Sequence, residues 1–198
     1  MDLTILSGES RFSVFSAGHS TRSLDEFIAL LESCGVEMIV DVRFVPRSRH
    51  NPQFNKETLC DSLKIAGIRY IHIPGLGGLR RPSQKSINLA LEHKSFRGYA
   101  DYMQTKEFAE SLLHLVALIH ENCVAIMCAE AVPWRCHRTL VADALATRHI
   151  IVKHILNETC TIKHELTPFA HVEGTKISYP LFTKEKTQRN LLDFGGLV

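Results

Sequence analysis

Two kinds of apolar pattern alternate along this chain. Short uninterrupted apolar runs are separated by longer segments whose apolar positions recur at helical spacing. An apolar run without polar alternation is typical of a strand that is covered on both faces. We therefore predict strands in the segments FSVFSAG (12–18), EMIVDV (37–42), IRYIHI (68–73), CVAIMC (123–128) and IIVKHIL (150–156).

The intervening segments predict helices. SLDEFIALLESCG (23–35) has Ser23 as N-cap, Glu26 to complete a capping box and Gly35 to end the helix. We also expect helices over 55–67, over 83–121 with a break at 96–98, and over 136–147. Repeated strand and helix alternation predicts a three-layer, Rossmann-like α/β fold with a largely parallel central sheet of about five strands flanked by helices.

The length of the chain predicts one well-buried core. At 198 residues it is long enough for a single domain, and we assign residues 1–160 to a single α/β domain. Residues 161–198 are expected to be a C-terminal extension that packs on this domain or forms an arm. Within the extension, TIKHELTP (161–168) and ISYPLF (177–182) suit short strands, and residues 183–198 suit a terminal helix or an ordered arm.

Composition and charge narrow the class of protein. The chain is 45% hydrophobic and 22% charged, which is ordinary for a soluble domain. It has no long apolar run and no secretory signal pattern, so we expect a cytoplasmic protein without membrane contact. The six cysteines show no close paired spacing and are expected to be free thiols. A net charge of +2 does not by itself indicate a nucleic-acid partner, although arginines cluster in the loop segments 42–50 and 79–85.

Polar side chains collect where the predicted strands end. In an open parallel sheet, ligands bind in the crevice beyond the carboxyl ends of the strands. If the sheet is parallel, these groups share one edge and can form one pocket. The strand-end residues are His19, Ser20, Asp41, Arg43, His72, Cys128, Glu130 and His154.

The segment CAEAVPWRCHR (128–138) takes the fourth strand into a helix that we expect to begin near Arg135 or Cys136. A helix N-terminus with arginines in its first turn favours an anion. The same field lowers the pKa of a thiol, which makes Cys136 and Cys128 candidate thiolates.

A zinc site in the same segment is disfavoured. The Cys128 to Cys136 gap is not a knuckle spacing, and Cys136 and the adjacent His137 would rarely aim at one ion if both were helical. We predict no metal and no cofactor.

Several motifs together resemble the family called domain of unknown function 488. They are GHSTRSLDEFIALL (18–31), IVDVRFVPRSR (39–49), GIRYIHIPGLGG (67–78), GYADYM (98–103) and CAEAVPWRCHR. The resemblance spans residues 15–156 and implies a compact three-layer α/β domain. The family's name records no assigned function. Its shared positions that match here are Gly18, His19, Ser20, Asp41, Arg43, Pro46, Ser48, Gly77, Gly78, Tyr99, Tyr102, Cys128, Glu130, Cys136, His137 and Arg138.

Our leading functional hypothesis is an enzyme, a hydrolase or transferase, that acts on a phosphate-bearing or otherwise anionic substrate such as a nucleotide or nucleic acid. Its catalytic candidates are Asp41, Glu130, His19, Cys128 and His137. Its substrate-binding candidates are Ser20, Arg43, Ser48, Gly77, Gly78, Tyr99, Tyr102, Arg135, Cys136 and Arg138.

Two alternatives stay open. The first is a rhodanese-like or phosphatase-like enzyme with Cys128 as nucleophile. The long gap from Cys128 to Arg135 and the bulky Pro133 and Trp134 weigh against such a loop. The second is a non-catalytic module that binds nucleic acid through its basic loops. The sequence does not predict an oligomeric state.

Overall fold

A computed structural model describes residues 12–181 of the chain. Its helices are α1 (Leu24–Glu32), α2 (Lys56–Ile65), α3 (Lys94–Tyr102), α4 (Lys106–Glu121) and α5 (Arg138–Ala146). Its strands are β1 (Ser13–Gly18), β2 (Met38–Asp41), β3 (Arg69–His72), β4 (Val124–Cys128), β5 (Ile151–Asn157), β6 (Cys160–Lys163), β7 (His171–Glu173) and β8 (Lys176–Ser178). Short 3-10 helices at Pro52–Phe54, Pro74–Leu76 and Pro133–Arg135 link some of these elements.

The central sheet has six strands in the order β3-β2-β4-β1-β5-β6. The first five run parallel, and β6 is antiparallel to β5. Strands β7 and β8 form a separate two-stranded antiparallel sheet. The predicted three-layer α/β fold with a largely parallel sheet is confirmed, with six strands in place of about five.

Each face of the sheet has its own apolar core. Ala17, Ile39 and Met127 face a core completed by α1 and α2. Residues of the opposite pleat, including Val40 and Ile126, face a core completed by α3, α4 and α5. Strands buried on both faces explain why their sequences are apolar without alternation.

Strand register brings the predicted site to one edge. Gly18 at the end of β1 is paired with Cys128 at the end of β4. Asp41 at the end of β2 is paired with Met127 of β4 on one side and with His72 of β3 on the other. Because these strands are parallel, their polar ends converge.

The helical prediction for residues 83–121 is wrong in two respects. Helix α3 begins only at Lys94, because the segment before it is held as a loop. The Asp101 carboxylate accepts hydrogen bonds there from the backbone of Ser83 and from the side chains of Ser86 and Asn88. The break falls after residue 102 and not at 96–98, and Thr105 caps the start of α4.

The C-terminal part of the described chain packs against the domain. Strand β6 includes part of the predicted 161–168 strand, and β8 reaches Ser178 at the start of the predicted 177–182 strand. Tyr179 is fully buried, and its hydroxyl donates to Asp143 of α5 at 2.8 Å. The helix or arm predicted for 183–198 lies outside the described residues. Among residues 12–181, no helix has the length and apolarity needed to cross a membrane.

Candidate functional site

At the carboxyl ends of the parallel strands, the backbone of β1 lies very close to that of the loop after β4. A Cβ atom at Gly18 would lie 1.9 Å from the carbonyl oxygen of Glu130, so a side chain there would force the two segments apart. Beyond Gly18, the amide of His19 donates to the Cys128 carbonyl at 3.1 Å, and the amide of Ser20 donates to the Ala129 carbonyl at 2.8 Å. The absence of a side chain at Gly18 therefore allows the ends of β1 and β4 to approach closely enough for these two hydrogen bonds.

Asp41 and Arg43 form a buried ion pair on the α1 and α2 side of the edge. Arg43 donates from Nε and from its terminal nitrogen to the Asp41 carboxylate, the shorter contact being 2.6 Å. Asp41 also accepts from the Tyr70 hydroxyl at 2.7 Å. Arg43 donates further to the Phe54 carbonyl at 2.8 Å. The carboxylate of Asp41 is thus fully occupied by donors from within the protein.

His19 lies beside this pair and is held neutral. Its Nδ1 is 2.9 Å from the Ser20 carbonyl, so Nδ1 carries the proton and Nε2 is left to accept from Arg43 at 3.4 Å. The ring stacks on Phe54 with centroids 4.2 Å apart. Burial is the main reason that the pKa of His19 is lowered to about 4. The sequence-predicted residues His19, Asp41 and Arg43 therefore do meet in one network.

A second cluster lies on the other side of the edge, against α5. Cys128 ends β4, and Cys136 and His137 immediately precede α5. The two sulfurs and a ring nitrogen of His137 all lie within 4.8 Å of one another. Cys136 has an extended backbone, with φ −125° and ψ 147°. Helix α5 therefore starts at Arg138, three residues after the earlier of the two predicted starts, Arg135.

Arg138 is the buried cation of this cluster. Its side chain is only 1% exposed. It donates to the Ser16 hydroxyl at 2.9 Å, to the Glu130 carbonyl, and from Nε to Sγ of Cys136 at 3.4 Å. None of the ion pairs formed within residues 12–181 includes Arg138. A buried guanidinium without a carboxylate needs another counter-charge.

The pKa values of the two thiols are shifted in opposite directions. A hydrogen bond from Cys128 lowers the pKa of Cys136 well below its usual range, and the Arg138 guanidinium acts in the same direction, against the effect of burial. The same hydrogen bond, together with burial, raises the pKa of Cys128 well above its usual range. Of the two thiols, Cys136 is therefore the more acidic one.

His137 is oriented by the backbone of the neighbouring strand end. Its Nε2 lies 3.0 Å from the Val42 carbonyl, so Nε2 carries a proton and donates to it. Nδ1, at 3.7 Å from Sγ of Cys136, is then the basic nitrogen. A nucleophile beside a base that a third group orients is the arrangement used in covalent catalysis.

The Gly77–Gly78 loop and two tyrosines pack around His137. A Cβ atom at Gly78 would lie 3.0 Å from Nδ1 of His137, and one at Gly77 would lie 2.6 Å from Cα of Phe44. Tyr99 is 1% exposed, lies 5.0 Å from the His137 ring and donates to the Leu76 carbonyl at 2.7 Å. Tyr102 donates to the Gly75 carbonyl at 2.7 Å. These contacts hold the loop against the cluster.

Other predicted site residues lie at the periphery. The side chains of Glu130 and Arg135 are exposed, and Glu130 makes a 3.5 Å contact with the backbone of Val132. Ser48 accepts from the amide of Asn51 at 3.0 Å and so stabilises its own loop. Ser20 is half-buried, with a left-handed backbone at φ 51°. The structure does not bring these four side chains into the cysteine cluster.

The cluster could also hold a metal, since Cys128, Cys136 and His137 supply three donors of the type zinc prefers. The extended backbone of Cys136 removes the objection that neighbouring helical residues diverge. The hydrogen bond from His137 to a carbonyl is also common among metal ligands. The buried Arg138 opposes a dication, because it already neutralises one thiolate.

Sequence reasoning missed three polar residues with buried side chains. Ser16 lies in β1, Asp143 in α5 and His164 just after β6. A signal was present for Asp143, which interrupts the otherwise apolar buried face of LVADALA. His154, expected at a strand end, lies within β5, and its partner His164 follows β6 in a segment without a clear pattern.

Comparison with known families agrees with the motifs. No similarity to a curated protein or to a solved structure reaches significance. The family model described as domain of unknown function DUF488 matches residues 23–145. This match covers more than half of the chain and includes Asp41, Arg43 and the whole cysteine cluster, whereas Gly18, His19 and Ser20 precede it. The chain belongs to the DUF488 family.

Proposed function

We propose that this protein is a cysteine-dependent enzyme, a transferase or hydrolase, in which the thiolate of Cys136 is the nucleophile. One observation carries the proposal. Arg138 is a fully buried guanidinium, and its Nε donates to Sγ of Cys136 at 3.4 Å. Cys136 is the group in contact with Arg138 that can carry a negative charge, since its other acceptors are a hydroxyl and a carbonyl.

The neighbouring groups suit the two halves of such a reaction. The Cys136 thiolate would attack an electrophilic centre of the substrate and form a bond to it, while the bond to the leaving group breaks and the leaving group departs with its electron pair. Water or a second substrate would then attack the covalent intermediate and displace Sγ of Cys136 as the thiolate. Nδ1 of His137, 3.7 Å from the sulfur, would accept the proton of the attacking group. Cys128 would stabilise the thiolate by donating to it, a positioning role that differs from its role as nucleophile in the rhodanese-like or phosphatase-like alternative.

The anion-binding hypothesis is less well supported by these contacts. It depends on three arginines, of which Arg43 and Arg138 make their hydrogen bonds inside the protein. Arg135 alone is exposed and available to a negatively charged substrate group. We therefore retain an anionic group as a feature of the substrate but place the chemistry on Cys136.

The pH profile of alkylation tests this proposal. Wild-type protein is treated with iodoacetamide over a range of pH, and the modification of each cysteine is followed by peptide mass spectrometry. Cys60, which is exposed, serves as the internal reference. We expect the rate at Cys136 to reach half its maximum at a lower pH than the rate at Cys60, because the thiolate is the reactive form. Burial reduces the absolute rate, so the midpoint is the readout.

A variant that removes the counter-charge sharpens the test. In Arg138→Gln the midpoint for Cys136 should move upward, while that for Cys60 should stay unchanged. A wild-type midpoint for Cys136 at or above that of Cys60 would overturn the proposal. So would a Cys136 that is modified only as fast as the whole chain unfolds. Protection of Cys136 by added Zn²⁺ alone would favour a metal site over a nucleophile.

A further inference from the structure

Two cysteine sulfurs of the candidate site lie within reach of one another. Sγ of Cys128 and Sγ of Cys136 are no more than 4.8 Å apart, and both residues are buried. Their backbones are held in place, since the Cys128 carbonyl accepts from the amide of His19 at 3.1 Å and the amide of Cys136 donates to the Pro133 carbonyl at 3.0 Å. The fold therefore keeps the two sulfurs as neighbours.

This separation suits a disulfide that forms without a rearrangement of the fold. Bonded sulfurs lie about 2.0 Å apart, so these two need to approach by less than about 3 Å. A change of χ1 moves a cysteine sulfur by a distance of that order while the backbone stays in place. Both cysteines are free thiols in the structure, which therefore shows the reduced state of the pair.

The surroundings favour oxidation at Cys136 first. Nε of Arg138 donates to Sγ of Cys136 at 3.4 Å, and Nδ1 of His137 lies 3.7 Å from the same sulfur. The pKa of Cys136 is lowered well below its usual range, chiefly by the hydrogen bond from Cys128, whereas the pKa of Cys128 is raised. Because the thiolate is the form of cysteine that peroxides oxidise, Cys136 reacts before Cys128.

Oxidation of Cys136 in turn prepares Cys128 to react. The largest cause that raises the pKa of Cys128 is its hydrogen bond with Cys136, and the charge of Cys136 acts in the same direction. Both effects end when the Cys136 sulfur becomes a neutral sulfenic acid. The Arg138 guanidinium, which lowers the pKa of Cys128, remains. Cys128 therefore becomes more acidic when the sulfur of its partner turns into an electrophile.

We propose that Cys128 and Cys136 form a reversible disulfide when a small hydroperoxide oxidises the protein, and that this bond inactivates the site while it protects Cys136. The proposal rests on the proposed function, in which Cys136 is the reactive thiol. Cys128 is 9% exposed and Cys136 is 5% exposed, which favours an oxidant of the size of hydrogen peroxide over a bulky one.

The oxidation has two balanced steps. The Cys136 thiolate attacks the terminal oxygen of the hydroperoxide, so that an S–O bond forms, the O–O bond breaks, and the alkoxide or hydroxide leaves with the electron pair and takes a proton from water. The sulfur loses two electrons and the peroxide gains them. Cys128 then attacks the Cys136 sulfur, the S–S bond forms, and the departing hydroxide takes the Cys128 proton and leaves as water. The disulfide prevents further oxidation to sulfinic acid, and an external thiol reverses it by exchange.

Peptide mapping after peroxide treatment tests the proposal. The reduced full chain is treated with an equimolar amount of hydrogen peroxide, the remaining thiols are blocked in denaturant, and the protein is digested with trypsin without reduction. Cleavage after Arg135 places Cys128 and Cys136 on different peptides, so a disulfide is seen as a linked pair. Fragmentation then distinguishes Cys128 from Cys123 on the same peptide. We expect most of the oxidised Cys136 to be linked to Cys128, and dithiothreitol to release both thiols.

Two variants separate the steps of the reaction. Cys128→Ser should lose the linked peptide, and its Cys136 should accumulate as a sulfenic acid that dimedone captures and that excess peroxide converts to sulfinic acid. Cys60→Ser, a change at an exposed thiol, should leave the link between Cys128 and Cys136 unchanged.

The wild-type results keep this inference apart from the proposed function. A Cys136 that is alkylated at a lower pH midpoint than Cys60 but forms no link to Cys128 would overturn the disulfide and leave the nucleophile in place. A Cys136 midpoint at or above that of Cys60 would overturn both. A link from Cys136 to a different cysteine would overturn the disulfide alone. These measurements decide the matter even if Cys128→Ser does not fold.

Discussion

Replacing Cys136 with serine should change how the stability of this protein depends on pH. The pKa of Cys136 is well below its usual range in the folded chain and returns to about 8.5 when the chain unfolds. Between those two values the unfolded state holds one proton more than the folded state. Stability then rises with pH by about 1.4 kcal/mol per pH unit, and this contribution is lost as the pH falls through the folded pKa.

The slope depends on Arg138 as the counter-charge. If the proton of Cys136 moved to His137 instead of leaving the protein, the folded and unfolded states would hold equal numbers of protons above about pH 6.5, and the slope would vanish. Arg138 already provides a buried positive charge at the sulfur. A protonated His137 would be a second cation beside the single thiolate and would leave a net positive charge in the buried cluster. We therefore expect the proton of Cys136 to be released from the protein.

Urea unfolding at several values between about pH 6.5 and 8 measures the effect. The free energy of unfolding of the wild type minus that of Cys136→Ser should increase by about 1.4 kcal/mol per pH unit. Histidines remote from Cys136 contribute equally to both proteins and cancel in the difference. Cys60→Ser, a change at an exposed thiol, should give a flat difference. A flat difference for Cys136→Ser, with no ultraviolet absorbance of a thiolate near neutral pH, would refute the reasoning.

Three further predictions concern the packing of the sheet edge. Gly18→Ala should lower the free energy of unfolding in urea by about 3 kcal/mol, because the new Cβ would lie 1.9 Å from the Glu130 carbonyl oxygen. Gly35→Ala, at φ 65° with open space around it, should lower it by only about 1 kcal/mol. Asp41→Asn should lower the free energy of unfolding by about 3–5 kcal/mol, because it leaves buried Arg43 without a carboxylate. Glu110→Gln, which removes an exposed ion pair with Lys106, should lower it by under about 1 kcal/mol. Equal losses in the two variants would contradict the buried pairing. The free energy of unfolding should also fall as the pH is lowered from about 6.5 to about 4, because His19 and His154 bind protons in the unfolded chain that they do not bind when buried. His19→Phe should lose less stability than the wild type over that range. An unchanged loss would exclude His19 as a contributor.

Much of the fold could be predicted because its signals are local. The apolar runs identify β1 to β5, and Ser23 with Glu26 does form the capping box that starts α1. Strand β6 was not placed in the main sheet, because an exposed edge strand such as CTIK has no continuous apolar run. The segment 83–93 was misread as helix because its loop is held by Asp101, a contact that sequence spacing does not reveal.

The candidate site could be predicted in location but not in roles. Parallel strand ends indicated one edge, and the structure does place His19, Asp41, Arg43, Cys128, Cys136 and Arg138 there. Which cysteine has the lowered pKa depends on the contact between the two thiols and on the proximity of Arg138 to one sulfur. Such distances arise from tertiary packing, and no residue pattern along the chain encodes them.

The three hydrogen bonds of Arg138 have a consequence for how this protein could evolve. One guanidinium joins β1 through Ser16, the loop after β4 through Glu130, and Sγ of Cys136 through Nε. The group that helps to lower the pKa of Cys136 therefore also connects two neighbouring strands. A substitution of Arg138 that changes the pKa of Cys136 should therefore also destabilise the sheet. We expect changes in specificity to arise more readily at exposed residues of the loop, such as Trp134 and Arg135, whose substitution does not break these hydrogen bonds.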